Sequence, residues 1–435
     1  MTSTRALVLI DGEHHPSVVR DGLVELERRG MPAVAALFLG GSEKTAGPPD
    51  LSVPVHSGDP ASTLGDLIAR YRPDVVFDMS DEPILDHRAR FVLVGVALAA
   101  GVAYAGGGFR FDPPPTPRLT DTASVAVTGT GKRTGKTAVS IALARHWAAA
   151  GRRPVVVTMG RGGPPEPVVL DPGNLADPVD ALRSLASRGL HAASDYVEDA
   201  IFAGVPTVGT RRIGAGPAGV TVDDTFAAGV AAATDLDPGL LIFEGSGTAL
   251  PPARADTGVL VMRSQLDGEY IGGYLGPFRL AMADAVVVVE DGGSAAAVVR
   301  RVSPGTVVFE GRYVVEPTVS VEGRRVTVAT TAPVTAGDEL AAQLRSLGAA
   351  AATVIHTLSK RNRLIADLEA APRCDLVLTE VKAAAADVVL PWADRSQIDV
   401  GLLHNVVQVE GGIGSLAGAL EQRLPSPQAP QPSTR

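Results

Sequence analysis

The sequence predicts an α/β protein with mostly parallel sheets, and three observations predict it. Apolar runs of strand length alternate with helical patterns along the 435 residues. One such run, Ala123 to Val127, leads through a glycine-rich stretch into the helical pattern Ala138 to Ala150. Ahead of it lies Phe111-Asp112-Pro113-Pro114-Pro115-Thr116-Pro117, a stiff linker of the kind that separates domains.

Read in order, the first segment carries strands at Ala6–Ile10, Ala33–Phe38, Asp74–Phe77 and Val102–Ala105. Helical patterns fit Ser17–Arg29, Ala61–Tyr71 and Leu85–Ala100. After the linker, strands are expected at Pro154–Thr158, Leu240–Phe243, Gly258–Met262 and Ala285–Val289. Beyond Gly293, Val319–Val321, Gly323 and Val326–Ala329 suggest a hairpin. Strands near Ala352–Ile355, Leu376–Thr379 and Gly401–Leu403 alternate with helices. The expected organisation is an N-terminal α/β domain (1–112), a nucleotide-binding domain (119–292), a C-terminal α/β region (293–424) and a disordered Pro-, Gln- and Ser-rich tail (425–435).

The glycine-rich stretch is the strongest chemical signal. It reads Thr128-Gly129-Thr130-Gly131-Lys132-Arg133-Thr134-Gly135-Lys136-Thr137. The chain has five lysines against thirty-four arginines, and two of the five stand here, where a compact ammonium and a guanidinium are not interchangeable. Strand, glycine loop ending in Gly-Lys-Thr, then helix is the phosphate-cradling P-loop, so the fold expected is of the P-loop NTPase type. Gly129, Thr130, Gly131, Thr134 and Gly135 would present backbone N–H groups to phosphate, helped by the helix's positive end. Lys136 would reach the β- and γ-phosphates of ATP, and the Thr137 hydroxyl would bind Mg²⁺. The first glycine, Gly129, lies one residue earlier than the standard spacing requires. This longer loop resembles that of dethiobiotin synthetase.

Leu240-Leu241-Ile242-Phe243-Glu244 puts an acid at the C-terminal end of a buried strand, the edge where parallel sheets bind ligands. Glu244 is therefore the expected acidic partner of the metal on Thr137. Met159-Gly160-Arg161-Gly162-Gly163 follows a neighbouring strand, and Arg161 is placed to clamp a phosphate; Glu166 beyond it is a surface-loop acid or a further metal group. Arg211 and Arg212 feed the G-x-G-x-x-G turn from Gly214 to Gly219. Pro206 weakens the strand before it, so an anion nest is favoured over a dinucleotide fingerprint. Asp11-Gly12-Glu13-His14-His15 and Asp78-Met79-Ser80-Asp81-Glu82 close two N-terminal strands, so the two loops are expected at one crevice. Lys360 and Lys382 stand in a basic cluster and at a strand end.

Composition narrows the partners. The formal net charge is −9, which argues against a general binder of nucleic acid or anionic membranes. The lone cysteine, Cys374, rules out a disulfide framework within the chain and fits the cytoplasm. No signal peptide or membrane span is expected from the sequence.

Five segments together resemble the cyclic 2,3-diphosphoglycerate synthetases: LIDGEHHPSVVRD, VTGTGKRTGKT, VTMGRGGPPEP, SDYVEDAIFAGVPTVGTRRIGAGPAG and LTEVKAAAADV, in that order from Leu9 to about Val406. The resemblance implies an ATP- and Mg²⁺-dependent enzyme that joins the two phosphates of 2,3-diphosphoglycerate into an intramolecular pyrophosphate, releasing ADP and phosphate. A small polyphosphate substrate carrying about four to five negative charges demands several cations. Lys132 and Arg133 are expected, with Lys136, between nucleotide and substrate. Arg161, Arg211, Arg212, Glu13, His14 and Lys382 are expected at the substrate, and Thr137 and Glu244 at the metal. A homodimer is left open. Two alternatives stand beside this reading: a ligase activating a carboxylate, and a nucleotide-switch ATPase acting on a protein partner.

Overall fold

A computed structural model describes residues 3–45, 47–82, 84–175, 177–190, 194–263, 270–290 and 294–425. The expected tail from 426 onward lies outside them.

The chain builds two sheets. The N-terminal sheet contains β1 (Ala6–Ile10), β2 (Ala33–Phe38), β3 (Val55–Ser57), β4 (Val75–Asp78), β5 (Ala103–Gly106) and β6 (Phe109–Phe111). Its order is β3-β2-β1-β4-β5-β6, with all pairs parallel except β5 with β6. Every residue of β1 is buried, as befits a central strand covered on both faces. The helices Pro16–Arg28, Pro60–Tyr71 and His87–Ala99 cross over between these strands. Asp59 and Asp86 cap the second and third by accepting from the N–H groups of Ser62 and Ala89.

The larger sheet contains β7 (Ser124–Gly129), β8 (Pro154–Gly160), β9 (Val168–Leu170), β10 (Thr207–Ile213), β11 (Asp223–Asp224), β12 (Leu240–Glu244), β13 (Thr257–Arg263), β14 (Ala285–Val289), β15 (Val307–Pro317), β16 (Arg325–Ala329), β17 (Ala351–Ile355), β18 (Leu376–Thr379) and β19 (Asp399–Val409). The order is β11-β10-β8-β12-β7-β13-β14-β15-β19-β18-β16-β17, with β9 also on β10. From β10 to β15 every neighbour is parallel. Strand β19 splices the sheet: residues 399–402 run parallel to β18, and residues 403–409 run antiparallel to β15.

Two sequence expectations need correction. Val319–Val321 and Val326–Ala329 do not form a hairpin. Strand β16 runs parallel to both β17 and β18, and Val321 joins Val315, Val326 and Val328 in the apolar core instead of pairing. The strand before the G-x-G-x-x-G turn is not weak either. Pro206 lies just ahead of β10, where its carbonyl accepts from Val156 N–H, so it costs the ladder no donor.

The helix Lys136–Ala149 is buried on most sides, down to Trp147, whose indole N–H donates to Glu421 at 2.9 Å. The N-terminal sheet docks onto the larger one through His87–Ala99 against Gly276–Ala281. Gly95 permits the approach: a Cβ there would stand 2.7 Å from the backbone nitrogen of Phe278. Among the described residues, no helix is long and apolar enough to cross a membrane.

Candidate active site

The loop between β7 and the helix Lys136–Ala149 is a closed hollow whose glycines have distinct reasons. A Cβ on Gly129 would meet Thr134 Oγ1 at 2.6 Å and Lys136 Cδ at 2.9 Å, so the early position of this glycine makes room for the lysine stem. Gly135, at the helix start, has φ +102°, a conformation L side chains rarely adopt. Arg133 takes φ +59°. Lys136 folds back into the hollow, and its Nζ donates to Gly131 O at 2.6 Å. It is only 7% exposed, and burial draws its pKa down to about 8 despite Glu244 and Asp195 nearby.

Parallel pairing places the end of β12 beside β7, with Glu244 opposite Val127. Thr137 Oγ1 donates to Glu244 Oε1 at 2.6 Å. The other oxygen, Oε2, has no hydrogen-bond partner, and burial pushes the carboxyl up to about 7. The helix Ser194–Ala203 packs alongside and carries Asp195, Glu198 and Asp199 at i, i+3 and i+4, hence on one face. Glu198 accepts from Lys382 Nζ at 2.8 Å. Burial opposes the Lys382 charge, but Glu198, Asp195 and Glu380 outweigh it and raise the pKa. Glu380 in turn accepts from Thr331 N–H at 3.1 Å and Thr331 Oγ1 at 2.7 Å.

Two guanidinium groups and the stem of Lys132 approach the turn after β12. A Cβ on Gly247 would lie 3.4 Å from Arg212 Nη2, 3.8 Å from Arg161 Nη2 and 3.9 Å from Lys132 Cγ. Arg212 is anchored by donating to Ser246 O at 2.8 Å, while its Nε has no partner. Burial, then Arg161, lowers its pKa.

A cavity of about 510 Å³ opens over this assembly. Lys132, Arg133, Thr134, Gly135, Lys136 and Thr137 line it, as do Arg161, Glu244 and Lys382. Arg211 does not. Arg212 is not part of the lining either: alternation along β10 sends adjacent side chains to opposite faces, and Arg212 of the pair turns to the Ser246–Gly247 turn, where it lies 5% exposed just behind the cavity wall. Glu166 is exposed and lies outside the lining. Glu13 and His14 are not brought here, because they close β1 of the other sheet. His14 Nδ1 bonds Asp11 Oδ1 at 2.8 Å and its Nε2 lies 3.5 Å from Asp81, so the two acidic loops share one crevice of their own. The Asp11 contact raises the His14 pKa. Lys360 caps the helix Arg361–Ala370 at the surface, and its neighbour Ser359 reaches the cavity.

Sequence comparisons agree over most of the chain, from residue 5 to residue 406. Profiles described as the N-terminal domain, the P-loop domain and the C-terminal domain of cyclic 2,3-diphosphoglycerate synthetase match residues 5–112, 124–335 and 317–406. A protein of that name from Rubrobacter xylanophilus is 43% identical over 397 residues, covering 88% of this chain and 90% of its own. Those from Thermococcus gammatolerans and Methanothermus fervidus are 40% and 33% identical, covering 93% and 97% of this chain and 94% and 97% of theirs. The chain belongs to the cyclic 2,3-diphosphoglycerate synthetase family.

Membership of a P-loop synthetase family implies ATP use. Within this synthetase, the sequence reading passed over several groups. Asp195, Glu198 and Asp199 lie inside a segment that carried the resemblance, and their D-x-x-E-D spacing was the available signal. Gly247 gave none, because its importance lies in what approaches it. Tyr313 gave none either: its hydroxyl would be 2.8 Å from a Cβ on Gly135, a contact made across the sheet.

Proposed function

We propose that this chain makes cyclic 2,3-diphosphoglycerate from 2,3-diphosphoglycerate and ATP, releasing ADP and phosphate. An oxygen of one substrate phosphate bonds to the γ-phosphorus of ATP as the bond from that phosphorus to ADP breaks. An oxygen of the second substrate phosphate then bonds to the inner phosphorus of the new diphosphate arm and expels inorganic phosphate. Holding the two groups side by side makes closure unimolecular.

The observation that carries this reading is the approach of the Arg161 and Arg212 guanidinium groups and the Lys132 stem to Gly247, three residues past Glu244. A P-loop that only hydrolyses ATP has no need of two guanidinium groups and a second lysine beside its own. In this reading Lys136 and the loop amides hold the triphosphate. Lys132 and Arg133 stand between nucleotide and substrate, and Arg161 and Arg212 grip the substrate phosphates. Lys382 lines the same cavity from the C-terminal side.

A divalent cation such as Mg²⁺ fits the residues present. Glu244 offers a buried oxygen with no partner beside the Thr137 hydroxyl, and hard cations take such oxygen donors. When bound, the ion would neutralise charge on the phosphate oxygens. The division into units at 1–112, 119–292 and 293–424, and a cytoplasmic location, belong to the same proposal.

The test is ³¹P NMR of pure protein with ATP, Mg²⁺ and 2,3-diphosphoglycerate. The expected result is a new phosphoanhydride signal with matching ADP and phosphate. ATP consumption without that signal would refute the reading.

A further inference from the structure

The most anomalous polar group in the structure is Asp199. It is 0% exposed, and neither carboxyl oxygen has a hydrogen-bond partner. Buried carboxyl groups are nearly always satisfied, because an unpaired one is costly. Asp199 lies well inside the helix Ser194–Ala203, too far from its start to cap it. The nearby lysines are committed elsewhere, Lys382 to Glu198 and Lys136 to Gly131 O.

What Asp199 faces is Glu244: the two carboxyl groups stand close enough to share a proton, and burial together with the Glu244 charge raises the Asp199 pKa well above the usual carboxylate range. Glu244 gives one oxygen to Thr137 and leaves the other bare. Apart from that shared proton no group satisfies the remaining oxygens, and the two carboxylates repel once both are ionised. The arrangement is explained by a positive ion shared between them, since a bound cation inverts the local electrostatics.

We propose that Asp199 is the second protein carboxylate of the divalent cation site, acting with Glu244 and the Thr137 hydroxyl. This rests on the cation reading given above and extends it to a helix outside the P-loop and the β12 end. Among the described residues no cluster of three or more His, Cys, Asp or Glu is arranged to hold a metal. The protein therefore supplies two carboxylates and a hydroxyl, and nucleotide oxygens and water complete the shell. Cation affinity should accordingly be weak alone and strong with ADP.

The experiment is Mn²⁺ titration of the full chain, read by electron paramagnetic resonance with saturating ADP. Asp199→Asn keeps the shape and removes the charge. It is expected to weaken Mn²⁺ binding about tenfold or more while leaving metal-free ADP affinity unchanged. Glu244→Gln is the reference. If Glu244→Gln loses Mn²⁺ and Asp199→Asn stays within about twofold of the parent, Asp199 is only a packing partner and the proposal is overturned. If neither variant loses Mn²⁺, the cation reading falls with it. Should Asp199→Asn fail to fold, the unaltered protein labelled with ¹³C in its aspartate carboxyls decides the matter. Mg²⁺ with ADP must shift the infrared band of a buried aspartate beyond what ADP alone does, and an unmoved band overturns the proposal.

Discussion

Gly135→Ala should damage nucleotide binding through two separable effects, and Tyr313 separates them. The first is conformational: φ +102° costs an L residue about 1–2 kcal/mol. The second is steric. The new Cβ would stand 2.8 Å from the Tyr313 hydroxyl oxygen, tighter than real Cβ contacts allow, and overpacking of this kind costs about 1–3 kcal/mol. Together they amount to about 2–5 kcal/mol, or roughly 30-fold to a few thousandfold in ATP affinity. Tyr313→Phe removes only the oxygen. The next atoms, Tyr313 Cζ and Val261 Cγ1, lie at 3.5 Å, an ordinary contact. The double variant should therefore recover about 1–3 kcal/mol and keep the conformational loss. Isothermal titration with ATP on the parent, both single variants and the double variant gives the coupling energy. Additivity within about 0.5 kcal/mol would show that the hydroxyl does not press on the loop, and the reasoning would fail.

Arg212→Ala should raise the KM for 2,3-diphosphoglycerate by about tenfold or more, since it removes a buried charge-assisted contact, whereas Arg211→Ala should change it little; steady-state kinetics with equal effects from both would contradict the alternation along β10. The pH profile of kcat/KM for ATP should be bell-shaped. Glu244, raised to about 7, must lose its proton to serve a cation, so activity falls below that pH; Lys136, lowered to about 8, must keep its proton to hold phosphate, so activity falls above it. A flat profile between about pH 6 and pH 9 would refute both assignments. The same shift predicts that the metal-free protein loses stability as pH rises through the Glu244 pKa, because the folded state holds that proton more tightly than the unfolded chain; thermal melts across pH check this. Lys382→Met leaves the largely buried Glu198 without its partner and should cost about 1–3 kcal/mol of stability, with adding Glu198→Gln restoring much of it in denaturant titrations.

Strands covered on both faces were legible because they read as uninterrupted apolar runs. β1, β2, β14 and β18 fall where the sequence places them. What escaped had no local signature. β15 carries Gly311 in its middle, and only the approach of Val407 and Gln408 from β19 explains that glycine. The Val319–Val321 segment looked like half a hairpin because its alternation is genuine, but the partner of that alternation is a core and not a strand. At the site, the loop was readable since its chemistry is contiguous in sequence. Arg211 and Arg212 were read as a pair because spacing alone cannot show which face of a strand meets the ligand until the strand is placed. Asp199 was passed over for a related reason: the D-x-x-E-D spacing shows acids on one helical face, but which of them meets the site becomes clear only when Glu244 is found opposite Asp199.

The scarcity of lysine points the same way as the geometry. Of the five lysines, Lys132, Lys136 and Lys382 line one cavity, although they come from two distant parts of the chain. Each position there asks for something a guanidinium does poorly. Lys136 turns back to a carbonyl of its own loop, which needs a small head on a flexible stem. Lys382 fits a single ammonium against Glu198 in a half-buried gap. Where a flat bidentate partner suits, the chain uses arginine, as in Arg183 against both oxygens of Asp394 at 2.7 Å. The continuity of the sheet through β15 and β19 is what lets Lys382 and Tyr313 reach a loop nearly two hundred residues or more upstream. The C-terminal segment is thus a wall of the cavity over the P-loop, and substitutions in it should alter ATP binding as directly as substitutions in the loop itself.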